Sequence, residues 1–525
     1  MKKVLAMLLS AVMVLSMAAC ASQPAATDAA PAATEAAAPA ATEAAAPAAA
    51  PAAEASGEKD IVKIVLEDSI STVNIQRFNA SLDFWALEPL NGFLVAFNEN
   101  MEIVPYLAES WDVIGDKEIK FVLKDAKFHN GNPVTANDVK FTIDYVKNEA
   151  NGCTQLYEDA KVIKEVQVAG DKEFTLVLDQ AFPRIFELLS NLAIYNEAAI
   201  DTIESAPVGC GPFKFAEWDQ DQYLKMEKNT DFWEAGKPAC DGLEFYFIPE
   251  YNTSRTALLA GEVDAILYAD PTDIEALAGI PNVKTYSKAI TGAQFIEFDT
   301  TEPPFDDVRV RQAVNYAVDR AGIIQPIYNG NGTVLYSFFD NTPYENEYFK
   351  IERDVEKAKQ LLAEAGYANG LEVALLAPNT ATEGPMAELI AAQLADAGIK
   401  CTADKKDVTT FLDQWGKKDF EMAICGATGA GDPDYPTYKY TVTNGSSNHS
   451  SWSNAKYDEL MEKGRSCYAL EERKPCYDEA SKICAEETPW IILCIENRTA
   501  ALASNIEGFI MKANLKYDFK EIHHN

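Results

Sequence analysis

Residues 105–146 read as one ordered supersecondary unit, and no other stretch of the chain limits the fold as strongly. Residues 119–123 alternate over the length of a short strand. Asn130-Gly131-Asn132-Pro133 gathers turn formers. Thr135 then stands at a helix N-cap position with Asp138 three residues later, an acidic form of the capping box. Val139, Ile143 and Val146 follow at helical spacing.

The rest of the chain alternates in the same way. Strands are expected at residues 61–66, 173–178, 294–298 and 371–376. Helices are expected to begin at Phe182-Pro183-Arg184 and within the run 303–313, and to span 355–365 with Gly366 as its stop and 385–397 closed by Gly398. Residues 82–97 suggest a helix followed by a short strand. Alternation of this kind implies an α/β fold, and 525 residues imply two or three compact units.

The first residues set the compartment. Lys2-Lys3 precede an apolar run over residues 4–17, too short for a spanning helix, and Ala18-Ala19 lead to Cys20. Residues 1–19 therefore read as a signal peptide. Residues 20–57 repeat P-A-A-T-E-A-A-A from Pro31 and Pro39, with a degenerate copy from Pro47. Proline at that interval interrupts helix, so the segment is a semi-rigid tether. At ~3.1 Å per residue in an extended form it reaches on the order of 100 Å. The net charge of −36 becomes −38 once the two leader lysines are gone, and such a surface repels nucleic acid.

No catalytic constellation stands out. The four histidines are His129, His449, His523 and His524, with the last two expected as an exposed tail. H-E-x-x-H, G-x-S-x-G, G-K-[ST] and C-x-x-C are all missing, which leaves a secreted hydrolase as a remote reading and suggests neither cofactor nor metal. Beyond Cys20 there are nine cysteines, an odd number, expected mostly as small buried apolar residues.

Several segments resemble one family: the extracellular peptide- and nickel-type solute-binding proteins of ABC transporters, family 5. The segment from Pro105 matches its "P-x-L-A-E-S-W" turn, and that from Phe128 its "F-H-x-G-x-P-[LV]-T-A-x-D-V". Pro207-Val208-Gly209-Cys210-Gly211-Pro212-Phe213, Asn229-Thr230-Asp231-Phe232-Trp233, the L-L-A-G-E-V-D-A-I run ending at Ile266, and the run from Pro303 to Arg320 add further matches. Within the last, Arg309 and Arg311 are expected to hold helix and lobe together through buried carboxylates, with an anion clamp as the other reading. Cys20 resembles the cysteine of a lipoprotein box, with Met17 where leucine is usual, and would carry the diacylglyceryl and palmitate anchor.

The resemblance implies a two-lobed periplasmic-binding-protein clamp of the large-cleft class, α/β with mixed sheets. The first lobe would span residues 58–292, with an extra subdomain at about 86–204. The second would span 293–497, and residues 498–525 would return to the first. Hinges are expected near 294–298 and 491–495. The implied function is that of a monomeric, lipid-anchored receptor on the extracellular face of the membrane, periplasmic in a diderm. It would bind an oligopeptide or dipeptide between its lobes and pass it to permease and ATPase subunits. An oligosaccharide or a metal complex on the same clamp is the alternative.

The segment Cys425 to Tyr435, C-G-A-T-G-A-G-D-P-D-Y, resembles the family's ligand loop, whose earlier aspartate meets the ammonium of a peptide. Ala430 stands near that position. Either Asp432 or Asp434 substitutes, or the ligand has no free N-terminus. Tyr435, Trp415, Trp452, Trp85, Phe84 and Asn448 complete the candidate ligand-binding set, since Tyr and Trp join an apolar face to a polar tip.

Overall fold

The computed structural model describes residues 59–428, 431–434 and 437–525. The expected leader, Cys20, the tether, Ala430 and Tyr435 lie outside these residues.

A twelve-stranded mixed sheet runs through the molecule. Its path is Ile399–Lys406, Leu371–Pro378, Met422–Thr428, Gly292–Phe298, Trp490–Ala503, Ala265–Ile266, Ile61–Leu66, Gly242–Phe247, Tyr223–Lys228 and Phe213–Asp219. Val283–Ala289 and Gly332–Val334 also pair with Trp490–Ala503. Ile61–Leu66 is nearly all apolar because it is flanked in parallel by Gly242–Phe247 and Ala265–Ile266 and is covered on both faces.

Trp490–Ala503 belongs to both lobes. Its first half pairs with Gly292–Phe298 (Ile296 opposite Ile491) and with Gly332–Val334 (Gly332 opposite Glu496). Its second half pairs with Val283–Ala289, Ala289 opposite Asn497, and with Ala265–Ile266. The change of partner falls at Glu496 and Asn497, and on the other crossing between Ala289 and Gly292. Both points lie a few residues from the segments expected as hinges. Those segments sit inside the second lobe's pairing.

The extra subdomain is a separate four-stranded antiparallel sheet, in the order Ala108–Ile114, Glu118–Leu123, Glu173–Leu178, Ile163–Val168. The expected turn at P-Y-L-A-E-S-W is largely strand. Ile119, Phe121 and Leu123 point inward and meet Val139, Ile143 and Val146 of the helix Ala136–Val146. Phe121 stacks on Phe174 at 5.2 Å. At the helix start, Asp138 accepts from the Thr135 N–H at 2.9 Å and from its hydroxyl at 2.6 Å.

The most recognisable motifs converge on one knot. The His129 N–H donates to the Gly209 carbonyl (2.9 Å), and its Nε2 lies 3.1 Å from the Gly211 carbonyl. A carbonyl only accepts, so Nε2 carries the proton. Burial, with Lys214 adding to it, pulls the imidazole down to about 4 against the bond to Gly211. Asn229 Nδ2 donates to the same Gly211 carbonyl at 2.9 Å. A Cβ on Gly209 would stand 1.9 Å from the Leu90 carbonyl oxygen, so glycine is what lets the two backbones touch.

Two expectations are corrected. Arg311 is buried, but its partners are the carbonyls of Phe305 (2.6 Å), Glu487 (2.6 Å) and Thr488 (3.1 Å), not carboxylates. The helix Leu470–Glu487 ends there, and its orphan C=O groups are what a buried guanidinium can satisfy. Arg309 is exposed and pairs with Asp307. The terminal histidines are not a free tail. His523–His524 pairs with Ile506–Glu507, and His524 bridges Asp60 (2.6 Å) and Asp264 (3.1 Å). All nine cysteines of the described residues are free thiols, and seven of them are buried.

Candidate functional site

A cavity of about 430 Å³ lies where the subdomain meets the second lobe. Trp111, Pro183, Phe186 and Glu187 form one side, and Tyr344, Asp432, Tyr468 and Arg473 the other. The turn of the hairpin Val95–Phe97 and Ile103–Pro105 closes an edge through Phe97 and Met101. Gly431 is what allows the ligand loop to approach this turn, because a Cβ there would sit 2.6 Å from Phe97 Cζ and 3.1 Å from Met101 Cε. Tyr468 ties the two sides together: its hydroxyl donates to the Asp116 carbonyl at 3.1 Å and accepts from the Phe182 N–H at 3.2 Å. Its ring meets Phe186 edge-on, and Phe186 in turn meets Trp111 at 5.3 Å.

The ligand-loop aspartates are both engaged. Arg473 holds Asp432 bidentately, Nη1 to Oδ2 at 2.7 Å and Nη2 to Oδ1 at 2.9 Å, and the Asp434 N–H adds a third bond. The other Arg473 donors go to the Gly464 carbonyl and the Tyr344 and Tyr477 hydroxyls, so every N–H of this buried guanidinium is used. Burial pushes the Asp432 carboxyl up, but the arginine outweighs it and the net displacement is downward. Asp434 faces Arg465 at 2.9 Å. Burial nonetheless wins and raises its carboxyl above the ordinary range.

On the opposite side, Ile185, Leu188 and Leu189 of the short helix Ile185–Asn191 face the subdomain core, which turns Phe186 and Glu187 toward the cavity. Glu187 Oε2 is buried with no hydrogen-bond partner among the described residues, and Arg184 Nε is 4.0 Å away. Arg184 is bidentate to Asp159, at 2.9 and 2.6 Å. Burial pushes the Glu187 carboxyl up to about 8, with Arg184 opposing the rise.

Of the described candidates from the sequence, Asp432 alone lines this cavity. Phe84 and Trp85 sit in the first lobe's core, under Lys516 Nζ (4.4 Å) and Arg498 Cζ (4.5 Å) respectively. Trp415 donates to Glu297 at 2.8 Å and Trp452 to Glu487 at 2.7 Å. Asn448 Nδ2 donates to the carbonyls of Val442 and Trp452, and its oxygen accepts from Ser450. These polar tips are satisfied inside the second lobe. Sequence reasoning passed over Glu187, Phe186, Tyr344, Tyr468 and Arg473. Trp111 was within reach of it, since it ends the P-Y-L-A-E-S-W segment.

The family model described as bacterial extracellular solute-binding proteins, family 5 Middle, matches residues 102–449. The heme-binding protein A of Haemophilus influenzae is 30% identical over 458 residues, covering 79% of this chain and 83% of that protein. The oligopeptide-binding protein AppA of Bacillus subtilis is 28% identical over 459 residues, covering 80% and 83%. The structure of HbpA2 from Haemophilus parasuis shares the fold, with a TM-score of 0.82 at 24% identity over 89% of this chain and 100% of that one. The chain belongs to the bacterial extracellular solute-binding proteins of family 5.

Proposed function

We propose that this protein is the receptor subunit of an ABC importer, anchored through a lipid on Cys20, and that it captures a short peptide between its lobes. The observation that carries this reading is the cavity with Glu187 and Phe186 on one lobe and Tyr344 and Arg473 on the other. Contacts supplied by both lobes are made in full only when the lobes are together, so the ligand shifts the population toward that state. About 430 Å³ falls within the ~300–1,000 Å³ of small-molecule sites. Aromatic walls with a few fixed polar groups suit peptides. Closed lobes would present one surface to a permease.

A thermal-shift screen tests it. A bound ligand at one hundred times its Kd stabilises by about 2.7 kcal/mol, a resolvable rise in Tm. Mixed di- and tripeptides are expected to raise the Tm. Stabilisation by oligosaccharides or by hemin, with none by peptides, overturns the peptide reading and leaves the receptor reading standing.

A further inference from the structure

The charges around the interlobe cavity do not balance. Asp432 is neutralised by Arg473, Asp434 by Arg465, and Asp159 by Arg184. Glu102, at the cavity's edge on the hairpin turn, is exposed and accepts from Asn98. Lys516 donates to the carbonyl of Ser190, one turn after Glu187 on the same helix, and the carboxylate that acts on it most is Glu88, ahead of Glu187. Glu187 is left with a buried oxygen that accepts no hydrogen bond among the described residues and faces the cavity.

We infer that Glu187 is the counter-ion for a positively charged group of the solute, an ammonium or guanidinium, so that the cation is recognised from the first lobe and not from the ligand loop of the second. This rests on the receptor reading above and deepens it. A carboxyl oxygen buried without a hydrogen bond favours the neutral form, and Arg184, 4.0 Å away and shared with Asp159, does not reverse that. An arriving cation supplies what is missing. Glu187 ionises, its proton passes to solvent, and the carboxylate and cation remain as a pair between aromatic walls. Trp111, Phe186 and Tyr344 line the cavity, and aromatic rings also attract a cation. Binding is therefore coupled to the release of close to one proton per cation at pH 7, and to much less at pH 9, above the displaced range of the carboxyl.

The test uses the full mature chain with phenethylamine, the dipeptide Ala-Phe, its N-acetylated form and benzoate as probes. Calorimetry is run in buffers of different ionisation enthalpy. The amine and Ala-Phe are expected to bind with proton release that falls from pH 7 to pH 9, and benzoate is expected not to bind. Glu187→Gln, close in shape to the neutral acid, is expected to keep its Tm while weakening amine binding at least tenfold and abolishing the proton release. Failure of both cationic probes to bind, or equal binding and equal proton release in Glu187→Gln, overturns the inference. N-acetyl-Ala-Phe binding equally well to both proteins, with no preference for Ala-Phe, sinks the role of Glu187 and leaves the peptide reading intact. Amine binding through Glu187 without any peptide binding does the reverse.

Discussion

His129 offers a perturbation whose size can be worked out before the experiment. Its ring is buried, its Nε2–H is fixed on the Gly211 carbonyl, and burial pulls it down to about 4 against that bond. In the unfolded chain it titrates near 6.5. The folded state thus binds the proton less well than the unfolded one. The stability that neutral His129 contributes is present above about 6.5 and is lost as the pH falls toward 4. The full gap corresponds to about 3 kcal/mol, of which about 2 kcal/mol disappears between pH 7 and pH 5. His129→Gln keeps an N–H donor for Gly211 and removes the titration. Urea unfolding followed by tryptophan fluorescence at pH 7 and pH 5 would compare the two proteins. The wild type is expected to lose about 2 kcal/mol more than the variant over that interval, while both share the contribution of the many carboxylates. An identical loss in the two proteins would refute the claim that this ring is forced to stay neutral.

Arg473→Met should strand the Asp432 carboxylate in the second lobe and cost about 3–5 kcal/mol, read as a drop in Tm, with Asp432→Asn added in the double variant recovering part of it. Gly209→Ala, whose new Cβ would meet the Leu90 carbonyl, should lower stability by about 1–3 kcal/mol in the same assay. Burial lowers the affinity of His524 for its proton, but Asp60 and Asp264 together raise it above 6.5. Its contribution is therefore complete below the unfolded value and fades as the pH rises through the folded one, so His524→Ala should lower the Tm more at pH 6 than at pH 9. Denatured, unreduced protein should titrate nine thiols from the folded region, and a count near one would contradict the free cysteines of the structure.

What the sequence made legible was decided by local periodicity against a single core. Ile61–Leu66 and Glu173–Leu178 fall where alternation and apolar content place them, and Ala136–Val146 begins at its expected cap. The N-terminal motif segments were legible as a family signature for a related reason: His129, Gly209, Gly211 and Asn229 pack against one another's backbones, which fixes residue type tightly. The site was hidden because its logic is subtractive. Asp432 and Asp434 looked available on a loop, and the arginines that occupy them lie 41 and 31 residues away on other elements. Glu187 stands out only once those pairings are known. Trp452 and Asn448 misled in the opposite sense, since aromatic and amide side chains that resemble ligand contacts also serve as internal hydrogen-bonding anchors.

The strand Trp490–Ala503, shared between the two halves of the large sheet, bears on the order in which the molecule can be built. It lies between Gly292–Phe298 and Ala265–Ile266, so each half lacks an interior strand until almost the whole polypeptide is available. The subdomain sheet, made from contiguous sequence, can form early. The two halves stay incomplete until residues 490–503 have been made, and they finish together when that strand arrives. A nascent chain with both halves of the large sheet unfinished stays pliable until that strand is made.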